Sequence, residues 1–120
     1  MKNNAKQATA SVLEVLFRVN APGYSGDEPN ALKGTQFSYP ADEQGRPGML
    51  KKLRSRTPVW QSTKNNRFWA SLREVRRTSE FIELFDPNRG LWNRIEPTQA
   101  FWSFDQTNWQ LIGCGKLTEQ

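Results

Sequence analysis

The chain has 120 residues and a mass of 13.9 kDa, room for one small domain. Its 17 lysines and arginines against 12 acids give a formal charge of +5, with 36% apolar residues and five tryptophans. No run of about 18 apolar residues offers a membrane helix, the lack of histidine removes Ser-His and Cys-His catalysis and most zinc sites, and the lone Cys114 excludes a disulfide framework and a CxxC pair.

Residues 1–11 are polar and charged and read as a disordered tail. A secretory signal needs an unbroken apolar stretch of about 7–15 residues. Here Glu14 and Arg18 interrupt the stretch from Val12 to Val19. With a lone thiol, the expected location is the cytoplasm, the alternative being a secreted chain already stripped of its signal. Residues 12–19 fit a strand, with Leu13, Val15, Phe17 and Val19 alternating. They also fit a short helix opened by the capping box Ser11/Glu14. The β-branched and aromatic content favours the strand.

Residues 20–59 hold five of the seven prolines and five of the eight glycines. Turn chemistry recurs there, as in Gly45-Arg46-Pro47-Gly48. A brief edge strand is expected at Gln36 to Tyr39 and one or two helical turns at Met49 to Leu53. The stretch reads as a long insertion in a single β domain spanning 12–120.

Residues 60–117 carry the core and all five tryptophans. Arg67 to Arg77 fits either a strand or a helix capped by Asn66; the tight link Arg77-Thr78-Ser79 favours the strand. Phe81, Glu83 and Phe85 then alternate with Ile82 and Leu84. The turn Asp86-Pro87-Asn88-Arg89-Gly90 follows, with Gly90 suited to a positive φ. Strands are expected at Leu91 to Ile95, Ala100 to Phe104 and Trp109 to Cys114. The fold class is therefore mainly β. A small antiparallel meander of about five strands, joined by residues 12–19 and with room for one short helix, curls into a partly open barrel or sandwich.

Two hairpins echo one another: Phe85-Asp86 with Trp92 and Ile95, and Phe104-Asp105 with Trp109 and Ile112. An Asp opening a turn accepts backbone N–H groups two residues on, and a Trp on the return strand packs back. The pattern resembles the hairpins of kelch-type blades and of the Asp-box in sialidase-like propellers. A propeller needs at least four blades, more than this chain can build, so the resemblance implies a hairpin and no function.

Charge is uneven. Residues 46–77 hold ten bases and one acid, Glu74, for +9, and the rest of the chain sums to −4. Clustered bases favour polyanions through counterion release, and interleaved aromatic rings supply stacking platforms. The expected function is a non-catalytic binding module, foremost a low-specificity nucleic-acid binder. Its site would be a single solvent-facing strip of Lys51, Lys52, Arg54, Arg56, Lys64, Arg67, Arg73, Arg76 and Arg77 with Trp60 and Trp69. Docking of an acidic protein surface on the same strip is the alternative. A third class, a carbohydrate binder using Trp92, Trp102 or Trp109, fits the tryptophan count.

An enzyme is not expected. Acid–base work would fall to Glu74, Glu80, Glu83, Asp86, Glu96 or Asp105, which show no paired spacing. Glu83 is expected to bond an arginine, Arg73 or Arg94, and Cys114 has no His to activate it. No cofactor, metal or membrane partner is implied.

Overall fold

The computed structural model describes residues 28–119, which form nine antiparallel strands. These are β1 (Gln36–Tyr39), β2 (Gly48–Lys52), β3 (Val59–Lys64), β4 (Arg67–Arg77), β5 (Ile82–Asp86), β6 (Leu91–Ile95), β7 (Gln99–Ser103), β8 (Gln110–Cys114) and β9 (Lys116–Thr118). The expected tail and the stretch at 12–19 lie outside the described residues. The sheet order β8-β7-β6-β5-β4-β3-β2-β1-β9 is an unbroken meander. Only Gly115 separates β8 from β9, so the chain steps from one edge of the sheet to the other and nearly closes a barrel. The mainly β meander expected from the alternation is therefore the fold, with nine strands in place of about five, and of the two expected closures, barrel or sandwich, it takes the barrel.

One expectation about 20–59 holds and one changes. The Pro/Gly-rich stretch contributes β1, at its expected place, and β2, where one or two helical turns were expected. Leu50 decides the second case. In an extended chain it alone of Met49-Leu50-Lys51 points inward, and it is 1% exposed, packed with Phe37 and Trp60. Tertiary burial outweighs local helix propensity in so short a segment. Arg67–Arg77 is a strand throughout. The turn before it, Asn65-Asn66, has φ of 53° and 63°, the positive pair that a two-residue hairpin requires.

Alternation sends Phe37, Tyr39, Leu50, Trp60, Ala70, Leu72, Ile82, Leu84, Ile95 and Ala100 into one core. Val75, Phe85 and Trp92 form a smaller cluster, with the Phe85 and Trp92 rings 4.6 Å apart. Both Asp hairpins have the expected turn bonds. Asp86 Oδ1 accepts the Asn88 N–H at 2.9 Å, and Asp105 Oδ1 accepts those of Thr107 and Asn108 at 2.8 Å. Gly90 takes a φ of 64°.

Bulges in β4 position the functional groups. Ser62 pairs with Ala70 and Thr63 with Phe68, so Trp69 is an extra residue, turned out of the regular alternation. Glu74 pairs with Leu84 and Arg76 with Glu83, so Val75 is extra as well. That second bulge puts Glu74 and Arg77, three apart, on one face. The two meet inside the barrel: Arg77 Nε donates to Glu74 Oε2 and Nη2 to Oε1, both at 3.0 Å. Trp60 Nε1 donates to the same carboxylate at 2.9 Å, and Lys52 Nζ stands 3.5 Å away. Burial raises the Glu74 pKa, but the Arg77 and Trp60 hydrogen bonds and the Arg77 and Lys52 charges outweigh it and hold the carboxyl below its usual range. This satisfied polar plug closes one end of the barrel.

Candidate functional site

The opposite end is open. Four connections surround it: β1–β2, β3–β4, β5–β6 and β7–β8. Inside lies a cavity of about 350 Å³, walled by apolar residues such as Leu50, Ala70, Leu72, Trp102 and Ile112. A barrel of about eight strands is just wide enough to hold one small ligand, and here β8 and β9 follow one another with only Gly115 between them, so the nine strands close a barrel of about that width. Ligand cavities usually start near 300 Å³, so this one lies at the small end of the range.

The mouth is built around Trp69, which is 43% exposed. Three cations approach its ring: Arg89 at 4.9 Å from the centroid, Lys64 at 5.2 Å and Arg46 at 5.8 Å. Arg89 is fixed from two sides, donating to Asp86 Oδ2 and to the Trp69 carbonyl, each at 3.0 Å. Asp42, in the β1–β2 turn, holds the other two. Its Oδ2 accepts Arg46 Nε at 2.9 Å and Lys64 Nζ at 3.4 Å, and its Oδ1 accepts the N–H groups of Gln44 and Arg46. Burial disfavours the Asp42 charge, but these donors outweigh it and lower its carboxyl to about 2. Burial pulls the Lys64 ammonium below its usual range, against the raising influence of Asp42.

Donors and acceptors are unequally used here. Every carboxylate oxygen of Asp42 and Asp86 is engaged, each by two donors or by a guanidinium. Arg46 spends only Nε and Lys64 one N–H on them. Glu43, on the same turn, also lines the cavity but is exposed to solvent. The mouth therefore presents surplus N–H donors, an environment that attracts acceptor oxygens.

The sequence-predicted site residues do not form one strip. Lys51, Arg54 and Arg56 are exposed near the β2–β3 connection, at the plugged end. Lys64, Arg67 and Trp69 stand at the mouth, with exposed Phe68 beside them. Arg73 and Arg76 are half-buried on β4, and Arg76 donates to Glu83 at 3.1 Å. Lys52 and Arg77 belong to the plug. Trp60 is fully buried and offers no stacking platform; its parity on β3 turns it inward with Leu50 and Leu72. The physical reason is the meander itself. Successive connections fall at opposite ends of the barrel, so a basic run spread over two hairpins is divided between them.

Glu83 has the expected arginine partner in Arg94, at 3.9 Å, besides Arg76. Arg94 lies between the Phe81 and Trp109 rings at 4.1 and 4.5 Å. Tyr39, Asp42, Ser62, Arg89 and Asn93 were missed as site residues. The usable signal was parity: once Trp60 faces inward, Ser62 and Lys64 must follow it.

Among the described residues, no helix is long and apolar enough to cross a membrane and no cluster of His, Cys, Asp or Glu could hold a metal. Compared with known family models, characterised proteins and solved structures, the chain matches none.

Proposed function

We propose that this protein is a non-catalytic binding module that takes a small organic anion with a flat apolar body into the open end of its barrel. The observation that carries the reading is the convergence of Arg46, Lys64 and Arg89 on the exposed Trp69 ring at the mouth of the cavity. Stacking would hold the ligand body, and the surplus N–H donors its acid. The carboxylates support a non-catalytic role. A general acid needs a raised pKa, whereas Asp42, Glu74 and Asp105 are all shifted down.

The test is a fluorescence titration with 8-anilinonaphthalene-1-sulfonate. Saturable one-to-one binding is expected, weakened about tenfold in Lys64→Ala by loss of one charge-assisted contact, and unchanged when Lys51, Arg54 and Arg56 become Ala. Absence of saturable binding, or equal binding by the Lys64 variant, overturns the reading.

Low-specificity nucleic-acid binding keeps one specific support: Arg67, Phe68 and Trp69 are exposed together on the rim. A single-stranded oligonucleotide would stack there and lose affinity steeply as salt rises from about 50 to 200 mM. Titration at both salt concentrations decides between the two. The acidic-protein alternative would instead depend on Lys51, Arg54 and Arg56, and the triple variant would abolish it.

A further inference from the structure

Below the mouth, three polar side chains line the same cavity: Tyr39, Ser62 and Asn93, at 3%, 5% and 8% exposure. They come from β1, β3 and β6, so they face the space from different sides of the barrel. The buried acids and the Ser103 hydroxyl are bonded elsewhere in the described chain: Glu74 to Arg77 and Trp60, Glu83 to Arg76 and Gln106, Ser103 to Asp105. The Tyr39 hydroxyl, the Ser62 hydroxyl and the Asn93 amide, by contrast, make no side-chain hydrogen bond among the described residues. Their polar atoms are not among the sealed-in unpartnered ones; they open onto the cavity and can bond whatever fills it. A ligand that displaces water from this space must supply hydrogen-bond partners to the three groups or leave them unpaired at a cost.

We infer that the ligand enters with an uncharged hydrogen-bonding group leading, a hydroxyl, carbonyl or amide, which Tyr39, Ser62 and Asn93 bind inside the barrel while the acid stays at the mouth. This rests on the mouth being the ligand site, and it adds the ligand's class and orientation. The chemistry of the three groups selects a neutral partner. Hydroxyls and an amide both donate and accept, whereas a second buried charge would need a counter-ion, and Lys64, 6.0 Å from the Tyr39 ring, is already paired with Asp42 at the mouth. The Tyr39 phenol stays protonated at neutral pH, since burial foremost, and the Asp42 charge after it, push its pKa up to about 12. Its place is fitted closely. A Cβ at Gly48 would lie 2.1 Å from the Tyr39 hydroxyl, so only glycine opposite lets the ring lie there.

A matched pair of probes tests the inference: 2-naphthoate, and 6-hydroxy-2-naphthoate with its hydroxyl at the end away from the acid. Fluorescence titration of the wild-type chain is expected to favour the hydroxylated probe by about tenfold or more, because a site that hydrogen-bonds a hydroxyl rejects the analogue lacking it. Asn93→Leu and Ser62→Ala should each reduce that ratio while leaving 2-naphthoate affinity unchanged or higher. Should Asn93→Leu fail to fold, Ser62→Ala and Tyr39→Phe give the same readout. Equal affinity for the two probes, or a ratio unchanged in every folded variant, overturns the inference. If neither naphthoate binds, the inference fails, and the anilinonaphthalene titration then shows whether the mouth reading fails with it.

Discussion

Asp42 organises the mouth more than any other side chain. Its Oδ1 accepts two backbone N–H groups and its Oδ2 two side-chain donors, and through them it holds Arg46 and Lys64 beside Trp69. Its folded pKa of about 2 lies below the ordinary 3.8. A carboxylate depressed on folding contributes stability that is present above its unfolded pKa and lost as pH falls through its folded one. The contribution is thus intact at neutral pH and fades from near pH 4 down to pH 2. Asp42→Asn keeps an acceptor for the turn N–H groups but removes the charge. The variant is expected to be less stable than wild type at pH 7, with the gap closing between pH 4 and 2, as read from urea midpoints across that range. It should also bind 8-anilinonaphthalene-1-sulfonate more tightly, because Arg46 and Lys64 lose the acid that competes for them. An unchanged affinity would mean that those two cations do not reach the ligand.

Among the strands, β4 carries the most consequence, and its two bulges mark the limit of what period-two alternation can reveal. Alternation by itself places Ala70 and Leu72 inward, and Ile82 and Leu84 after them, as observed. The Asp-led turns at Asp86 and Asp105 were readable because the chemistry is local. The inward placement of both Glu74 and Arg77 was not, since residues three apart face opposite ways in a regular strand and only the extra Val75 brings them together. The same holds for Trp69, whose place at the mouth follows from the bulge opposite Ser62. The Asn65-Asn66 turn was readable in principle, as two residues tolerant of positive φ between alternating segments. The division of the basic segment between the two ends followed from strand lengths that composition does not show. The plug makes a prediction of its own. Glu74→Ala leaves Arg77 buried without its partner and should cost about 3–5 kcal/mol, the usual penalty for breaking a buried pair. Replacing both residues with Leu and Met should recover most of that loss. Chemical denaturation of the single and double variants measures both. By contrast, changing Lys51, Arg54 and Arg56 to Ala should leave stability within about 0.5 kcal/mol, as for other exposed positions.

Closure of the barrel links the plug and the mouth, because a cavity exists only if the two sheet edges meet. The edges are joined by chain continuity at Gly115 and by a seam of three residue pairs, Gln36 with Thr118, Phe37 with Leu117 and Ser38 with Lys116. The other side of the same segment is held by the β6–β7 connection, where Gly115 and Leu117 donate to the carbonyls of Thr98 and Pro97 at 2.9 and 3.0 Å. Gly115 therefore lies between two backbones. A Cβ there would sit 1.9 Å from the Ser38 carbonyl oxygen and 3.0 Å from the Tyr39 Cα, contacts with main chain that no rotamer change relieves. Gly115→Val must push β1 away, which costs packing at the seam and moves Tyr39, one residue from the clash, out of the cavity wall. The expected loss is about 3 kcal/mol, the upper end for overpacked sites. At about 4–8 °C per kcal/mol for a domain of this size, the thermal midpoint should fall by more than about 10 °C. The more telling measurement is made below that midpoint. If the cavity depends on closure, the folded Gly115→Val chain binds 8-anilinonaphthalene-1-sulfonate weakly even where circular dichroism shows the sheet intact. Undiminished binding by a stable Gly115→Val protein would place the ligand site away from the barrel interior.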